Sequence, residues 1–222
     1  MIIAIDGPAG SGKSTIAKMI ARELGFTYID TGAMYRAVAL KIKRLGINPD
    51  DPEAVLEVLK NTQIDLKPSE KGVKVFLDGE DVSDKIRTEE IGKIASKIAR
   101  HKKVREILVQ MQRELGKRAK NAVIEGRDTG TVVFPDADIK FFLTASAEVR
   151  AERRYRELKE KGLDVSYDKI LREVQERDRL DKTRKESPLK PAEDAIIIDT
   201  SDKDINQVFR HLIEIIKNKI KK

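Results

Sequence analysis

The chain has 222 residues, 40% of them hydrophobic, with 45 Lys and Arg against 38 Asp and Glu for a net charge of +7. That length allows one or two domains with a buried core. It contains no apolar run of membrane-spanning length, and without cysteine it has no disulfide framework and no thiolate metal site. The opening "MIIAIDGPAG" lacks the basic lead and long apolar stretch of a signal peptide. The expectation is therefore a cytoplasmic protein without a membrane partner, and a monomer. Lys and Arg are spread along the chain, which fits either an anionic partner or a surface of Lys–Glu pairs.

In chain order, "MIIAI" reads as a short buried strand. Ile16, Ala17, Ile20, Ala21 and Leu24 then keep helical spacing up to Gly25. "FTYI" reads as a second strand and "GAMYRAVALKIKRLG" as a helix. "DPEAVLEVLK" opens a further helix, with Asp51 as cap and Pro52 in the first turn. From about 62 to 87 the period changes, and Asp78-Gly79 marks a hairpin in a small antiparallel insert. Helical text follows from Glu89 to about Lys120. "AVIE" and "IKFFLTA" are the third and fourth core strands. Arg-rich helical text covers about 147 to 161, a second helix about 167 to 181, and "AIIID" is the fifth strand. The last helix starts near Asp204 and ends in the basic tail "KNKIKK". Alternating strands and helices predict an α/β fold with a parallel sheet.

Residues 7 to 14, Gly7, Pro8, Ala9, Gly10, Ser11, Gly12, Lys13 and Ser14, fit G-x-x-x-x-G-K-[ST] between a strand and a helix. Small residues let backbone N–H groups turn inward around a polyphosphate. Lys13 reaches the outer phosphates, and the Ser14 hydroxyl is placed to ligate Mg²⁺ brought with ATP. Thr15 offers a further hydroxyl. Asp6, just before the loop, reads equally as a structural strand end or as part of the site.

The chain lacks D-x-x-G, and its nearest approach to the guanine motif N-K-x-D is Asn218-Lys-Ile-Lys, without the acid. That leaves small phosphate-loop kinases as the main class. A nucleoside monophosphate acceptor needs no catalytic base, because its second phosphate pKa is about 6. His101 and His211, the two histidines, read as surface residues on helices. Arginine at strand and helix ends is what the chain has in quantity, as a site holding two anions requires.

The blocks "IDGPAGSGKST", "YIDTGAMYRA", "VFLDGEDVSDKIRTEEI", "EGRDTGTVVFPDADIKFFLTAS" and "ERDRLDKTRKESPL" span nearly the whole chain. Together they resemble the bacterial-type cytidylate kinases, and all but the first and third are far more specific than the phosphate loop. The resemblance implies a five-stranded parallel core, an Arg-rich helical lid and an acceptor-binding region enlarged by an antiparallel insert. It implies one kinase domain: core at about 1–30, 121–146 and 188–222, acceptor region at about 31–120, lid at about 147–187. It also implies phosphoryl transfer from ATP to CMP or dCMP. Carried over by motif, Thr31 and Arg36 meet the acceptor's sugar and phosphate side. Arg127 holds the acceptor phosphate with Arg36 and Arg184. Ser96, Arg105 and Asp128 read the cytosine, and Arg177 and Asp181 lie near the ribose. Cytosine N4 donates, which suits Asp128, while N3 and O2 accept, which suits Ser96 and Arg105.

In "RAERRYR", Arg150 and Arg154 share one helical face and Arg153 and Arg156 another. The expectation is that Arg150 and Arg154 close over the transferring phosphoryl group. Glu125 either orients Arg127 or is the strand's solvent-facing end. The rival readings are a kinase for another acceptor such as UMP, and a basic nucleic-acid-binding protein resting on charge alone.

Overall fold

In a computed structural model the described residues are 1–221, so Lys222, the last lysine of the basic tail, lies outside them. The frame is a five-stranded sheet. Its strands are β1 (Ile2–Asp6), β2 (Thr27–Asp30), β6 (Ala122–Gly126), β7 (Ile139–Thr144) and β8 (Ile196–Asp199). The order is β2-β6-β1-β7-β8, and every pairing is parallel. Near-continuous apolar strands such as these are stable only with both faces covered. α1 (Lys13–Leu24) and α8 (Ile205–Ile220) cover one face, burying Ile3, Ile5, Val123 and Phe141. On the other, Ile29 and Ile124 pack with Val109 and Phe134. Side chains alternate along β6, so Val123 and Glu125 belong to the α1 face and Ile124 to the opposite one.

The remaining elements extend from this frame. α2 (Thr31–Arg44) is capped by Asp30, whose side chain accepts from Ala33 N at 2.9 Å. α3 (Pro52–Lys60) is capped by Asp51, as read from the sequence. The expected insert is a three-stranded antiparallel sheet of β3 (Ile64–Ser69), β4 (Gly72–Leu77) and β5 (Glu80–Asp81). Its Asp78-Gly79 turn has φ of 48° and 86°, the double positive φ that a tight hairpin demands. Ile64, Val75 and Leu77 of the insert share a core with Val38 and Ile42 of α2.

The helical text from Glu89 divides into α4 (Glu89–Ile98) and α5 (Lys102–Ala119). The cause is a break in spacing: the α4 stripe ends at Ile98 and the α5 stripe resumes at Val104, six residues on, with both sunk in one core. His101 lies at the joint, half-buried, with Nε2 2.7 Å from the Pro49 carbonyl oxygen, so the expectation of a surface histidine fails there. His211 is exposed, as expected. The two Arg-rich helices are α6 (Ala147–Glu160) and α7 (Tyr167–Thr183). Among the described residues no helix is long and apolar enough to cross a membrane.

A tight approach in the frame lies where β6 ends. A Cβ on Gly126 would stand 2.2 Å from Thr31 Oγ1 and 2.9 Å from Thr129 Cγ2. Thr31 is itself fixed, donating to the Glu125 carbonyl oxygen at 2.8 Å. Gly126→Ala therefore overpacks a rigid joint at a cost of about 1–3 kcal/mol. A melting temperature lower by about 3–10 °C is expected for a chain of this size, measured by calorimetry.

Candidate active site

The phosphate loop runs from Gly7 to Gly12 between β1 and α1. Gly12 takes the N-cap position at φ 86° with no side chain capping the helix. The first N–H groups of α1 are thus left for an anion. Lys13 is buried, its Nζ donating to the Pro8 carbonyl oxygen at 3.3 Å. Burial first, and then the nearby Arg127 guanidinium, bring its pKa down to about 8. Thr15 is exposed.

Two carboxylates stand at the carboxyl ends of the adjacent strands β1 and β6. Asp6 accepts from Thr129 N at 2.9 Å, Thr129 Oγ1 at 2.7 Å and Gly130 N at 2.8 Å. Burial pushes its carboxyl up to about 6 in spite of these donors. Of its two readings, the structural one matches these contacts: Asp6 holds the π-helical turn Thr129–Val133 that follows β6. Glu125 is 4% exposed and accepts from Ser14 Oγ at 2.7 Å and Tyr28 OH at 3.0 Å. It is neither the solvent-facing end of its strand nor bonded to Arg127. Strand alternation carried the signal: two residues after the buried Val123, Glu125 turns to the same face, toward α1.

A cavity of about 260 Å³ opens beside the end of β6. Thr31, Arg36, Ser96, Arg105, Arg127, Asp128, Arg177, Asp181 and Arg184 all line it, so the nine acceptor residues expected from sequence are brought together. Arg127 Nε donates to Asp181 Oδ2 at 2.6 Å, while Arg177 and Arg184 stand 3.6 and 3.8 Å from the same carboxylate. Burial works to raise the Asp181 pKa, but Arg127 and Arg177 hold it below the usual range. Burial and then Arg127 bring Arg177 down to about 10. Arg36 donates to Asp30 at 3.1 Å. Ser96 donates to its own helix, at Gly92 O.

Arg105 and Asp128 face one another across 2.6 Å, their side chains 5% and 6% exposed. The guanidinium also donates to Ala99 O at 3.0 Å and lies 5.3 Å from the centroid of the Tyr35 ring. Among the described residues, five donors of these side chains are buried without a hydrogen-bond partner: Tyr35 OH, Arg36 Nε, Arg105 Nε, Arg177 Nε and Arg184 Nη2. Buried donors are rarely left unpaired, so this concentration marks a place for an acceptor-rich ligand. Tyr35, which lines the cavity, went unremarked in the sequence because it reads as one more apolar residue of α2.

The arginines of α6 divide differently from the expectation. Arg150 is 3% exposed and makes a two-pronged pair with Asp178 of α7. It donates also to Ala9 O at 3.1 Å and Ala145 O at 2.9 Å, tying both helices to the phosphate loop. Arg154 is half exposed beside Glu157 and lines a cleft of about 810 Å³ between α4 and the α6–α7 pair. Arg153, left open by the sequence, donates to Thr200 O at 2.6 Å and Gly10 O at 3.2 Å, clasping the turn after β8 to the phosphate loop. Arg156 pairs with Glu152. Helical spacing reports which arginines share a face but not what each face meets.

The depressed Lys13 pKa has a measurable consequence. Near pH 8 about half of Lys13 is neutral in the free protein, and anionic phosphates favour its charged form, so binding ATP takes up about half a proton. By pH 6 Lys13 is already charged and contributes no uptake. Titration calorimetry in buffers of different ionisation enthalpy measures this. Absence of a buffer dependence at pH 8, or its persistence in Lys13→Arg, contradicts the assignment.

Residues 3–218 match the cytidylate kinase family model. A cytidylate kinase of Caldicellulosiruptor bescii is 50% identical over 222 residues, covering 98% of this chain and 98% of that protein. One of Caldanaerobacter subterraneus subsp. tengcongensis is 53% identical over 219 residues, covering 99% and 96%. Among solved structures, an uncharacterized protein of Eubacterium ventriosum aligns over 98% of each chain with a TM-score of 0.54 at 14% identity, a likeness of fold alone. With a family model matched along nearly its whole length and full-length relatives at half identity, the chain belongs to the cytidylate kinase family.

Proposed function

We propose that the protein transfers the γ-phosphoryl group of ATP to CMP or dCMP, giving ADP and CDP or dCDP. The observation that carries this is the cavity beside Arg127 and Asp128, with its surplus of arginine and its five unpartnered donors. A nucleoside monophosphate supplies what that lining lacks. Its phosphate dianion meets Arg36, Arg127 and Arg184. Its ribose hydroxyls meet Arg177 and Asp181. The cytosine N4 amino group donates to Asp128, while Arg105 and Ser96 face the accepting edge.

The acceptor phosphate is the nucleophile, already largely ionised at neutral pH with a second pKa of about 6, so the protein supplies position and charge in place of a base. Neither histidine lines either cavity, in keeping with this. The phosphate loop N–H groups and Lys13 hold the ATP phosphates, and Arg127 lies close enough to Lys13 to lower its pKa. The two therefore bracket the path between donor and acceptor.

Kinases of this family act on a nucleotide accompanied by a metal ion, and we assign that ion as Mg²⁺. The residues fit: a hydroxyl and a buried carboxylate, both hard oxygen donors, meet at 2.7 Å beside the phosphate loop. Ser14 donates its one hydrogen to Glu125, leaving its oxygen lone pairs to face a cation. When bound, the ion neutralises charge on the phosphate oxygens. Among the described residues no cluster of three acidic or histidine side chains forms a cage, which suits an ion held mostly by phosphates and water.

In this reading the segment 31–120 is the acceptor region, 147–187 the lid and the rest the core. Adenine rests near the turn at 199–204, and Arg154 moves onto the transferring phosphoryl group as the α4–α7 cleft closes, excluding water. The protein works as a cytoplasmic monomer. A coupled assay with ATP and CMP, dCMP or UMP tests the proposal: CMP and dCMP turn over, UMP does so poorly. Uracil O4 facing Asp128 sets two acceptors together. Asp128→Asn keeps the side-chain volume while offering a donor, and narrows the CMP-to-UMP ratio of kcat/KM by about tenfold or more, chiefly by slowing CMP. Failure to turn over CMP or dCMP refutes the proposal, and an unchanged ratio in Asp128→Asn refutes the base-reading role.

A further inference from the structure

Glu125 is a buried carboxylate that makes no ion pair among the described residues. Lys13 and Arg127 are near enough to act on it electrostatically, yet Lys13 donates to Pro8 O and Arg127 to Asp181. Its two partners are hydroxyls, Ser14 and Tyr28, and both donate to one oxygen, Oε1. Oε2 has no protein hydrogen bond and is not among the buried unpartnered atoms, so it is left open to an incoming group. We propose that Tyr28 is a positioning residue for the metal–nucleotide site, pinning Glu125 so that the carboxylate both orients Ser14 and presents its free oxygen to the cation.

The sheet register sets up the contact. Tyr28 pairs with Val123, and Glu125, two residues further along β6, projects from the same face. The Tyr28 ring is packed under α1 with Ile16, Ala17 and Ile20, so its hydroxyl is delivered from a rigid body. Lys18 lies over that ring at 5.8 Å from its centroid. The Ser14 hydroxyl has a single hydrogen, spent on Glu125. If the carboxylate swings, Ser14 loses the orientation that turns its lone pairs toward a cation. Tyr28 thus governs two oxygen donors while touching neither metal nor nucleotide. Residues that orient metal-holding groups typically contribute a factor of about 10–100 in metal affinity.

The inference rests on the assignment of Glu125 to the metal, so the experiment separates the two. Mn²⁺ binding to the ADP complex is measured by electron paramagnetic resonance for the parent, Tyr28→Phe and Glu125→Gln, with ADP affinity in excess chelator and a melting curve for each. The Phe variant conserves the ring and its packing. Expected are a Mn²⁺ affinity about tenfold weaker in Tyr28→Phe and weaker again in Glu125→Gln, with metal-free ADP binding unchanged in Tyr28→Phe. If Tyr28→Phe lowers only the melting temperature while Glu125→Gln weakens Mn²⁺, Tyr28 merely satisfies its own hydroxyl and the inference is overturned. If Glu125→Gln also leaves Mn²⁺ affinity intact, the metal assignment falls and the inference falls with it.

Discussion

One carboxylate, Asp181, anchors the arrangement on which the site depends. Arg127 comes from the end of β6, and Arg177 and Arg184 come from α7 and its cap, yet all three converge on it. Three cations around one anion leave a local excess of positive charge in a place largely withdrawn from water. The fold holds it at a cost: burial and mutual repulsion bring Arg177 down to about 10 and act on Arg184 in the same direction. Asp181 keeps the cluster assembled while leaving it incomplete. A phosphate dianion has the charge and the acceptor oxygens to finish it, and the unpartnered nitrogens of Arg36, Arg177 and Arg184 are where it would do so. A cluster neutralised by its own residues would be more stable and would bind nothing.

The sheet supplies the rigidity this needs. β1 and β6 lie side by side with Ile5 opposite Glu125 and Asp6 opposite Gly126. The two acids at their ends then work in different directions. Asp6 reaches forward to fix the turn at Thr129 and Gly130, which sets the frame for Arg127 and Asp128 just before it. Glu125 reaches back to Ser14 and Tyr28, on the side of the phosphate loop. One strand end is thereby coupled to both halves of the proposed reaction. Gly126 sits between them because Thr31 leaves no room for a side chain. The spacing between the phosphate loop and the Arg127–Asp128 turn is therefore set by backbone pairing in the sheet.

Local chemistry made much of this legible in the sequence. The phosphate loop, the five apolar strands, the Asp51 cap and the Asp78-Gly79 hairpin depend on neighbours a few residues away, and the structure has them where the text put them. The joint near His101 was less legible, since helix-forming residues continue through it and only the missed step between Ile98 and Val104 marks the break. The acceptor residues followed from resemblance to a family. Composition and spacing alone would not have paired Arg105 on a helix with Asp128 on a turn. Arg150 and Arg153 were the least legible, because their partners Asp178 and Thr200 lie far along the chain. Glu125 could have been read, given attention to which face of the strand it occupies.

The central claim is that the Arg127–Asp128 cavity recognises a phosphate and a cytosine together, each half leaning on a different buried charge. Calorimetric binding of CMP, cytidine and UMP to the protein without ATP tests it most directly. The account predicts that CMP binds, that cytidine loses about two orders of magnitude or more for want of two or more charge-assisted contacts, and that UMP binds less tightly than CMP. Cytidine and UMP binding as tightly as CMP would contradict it.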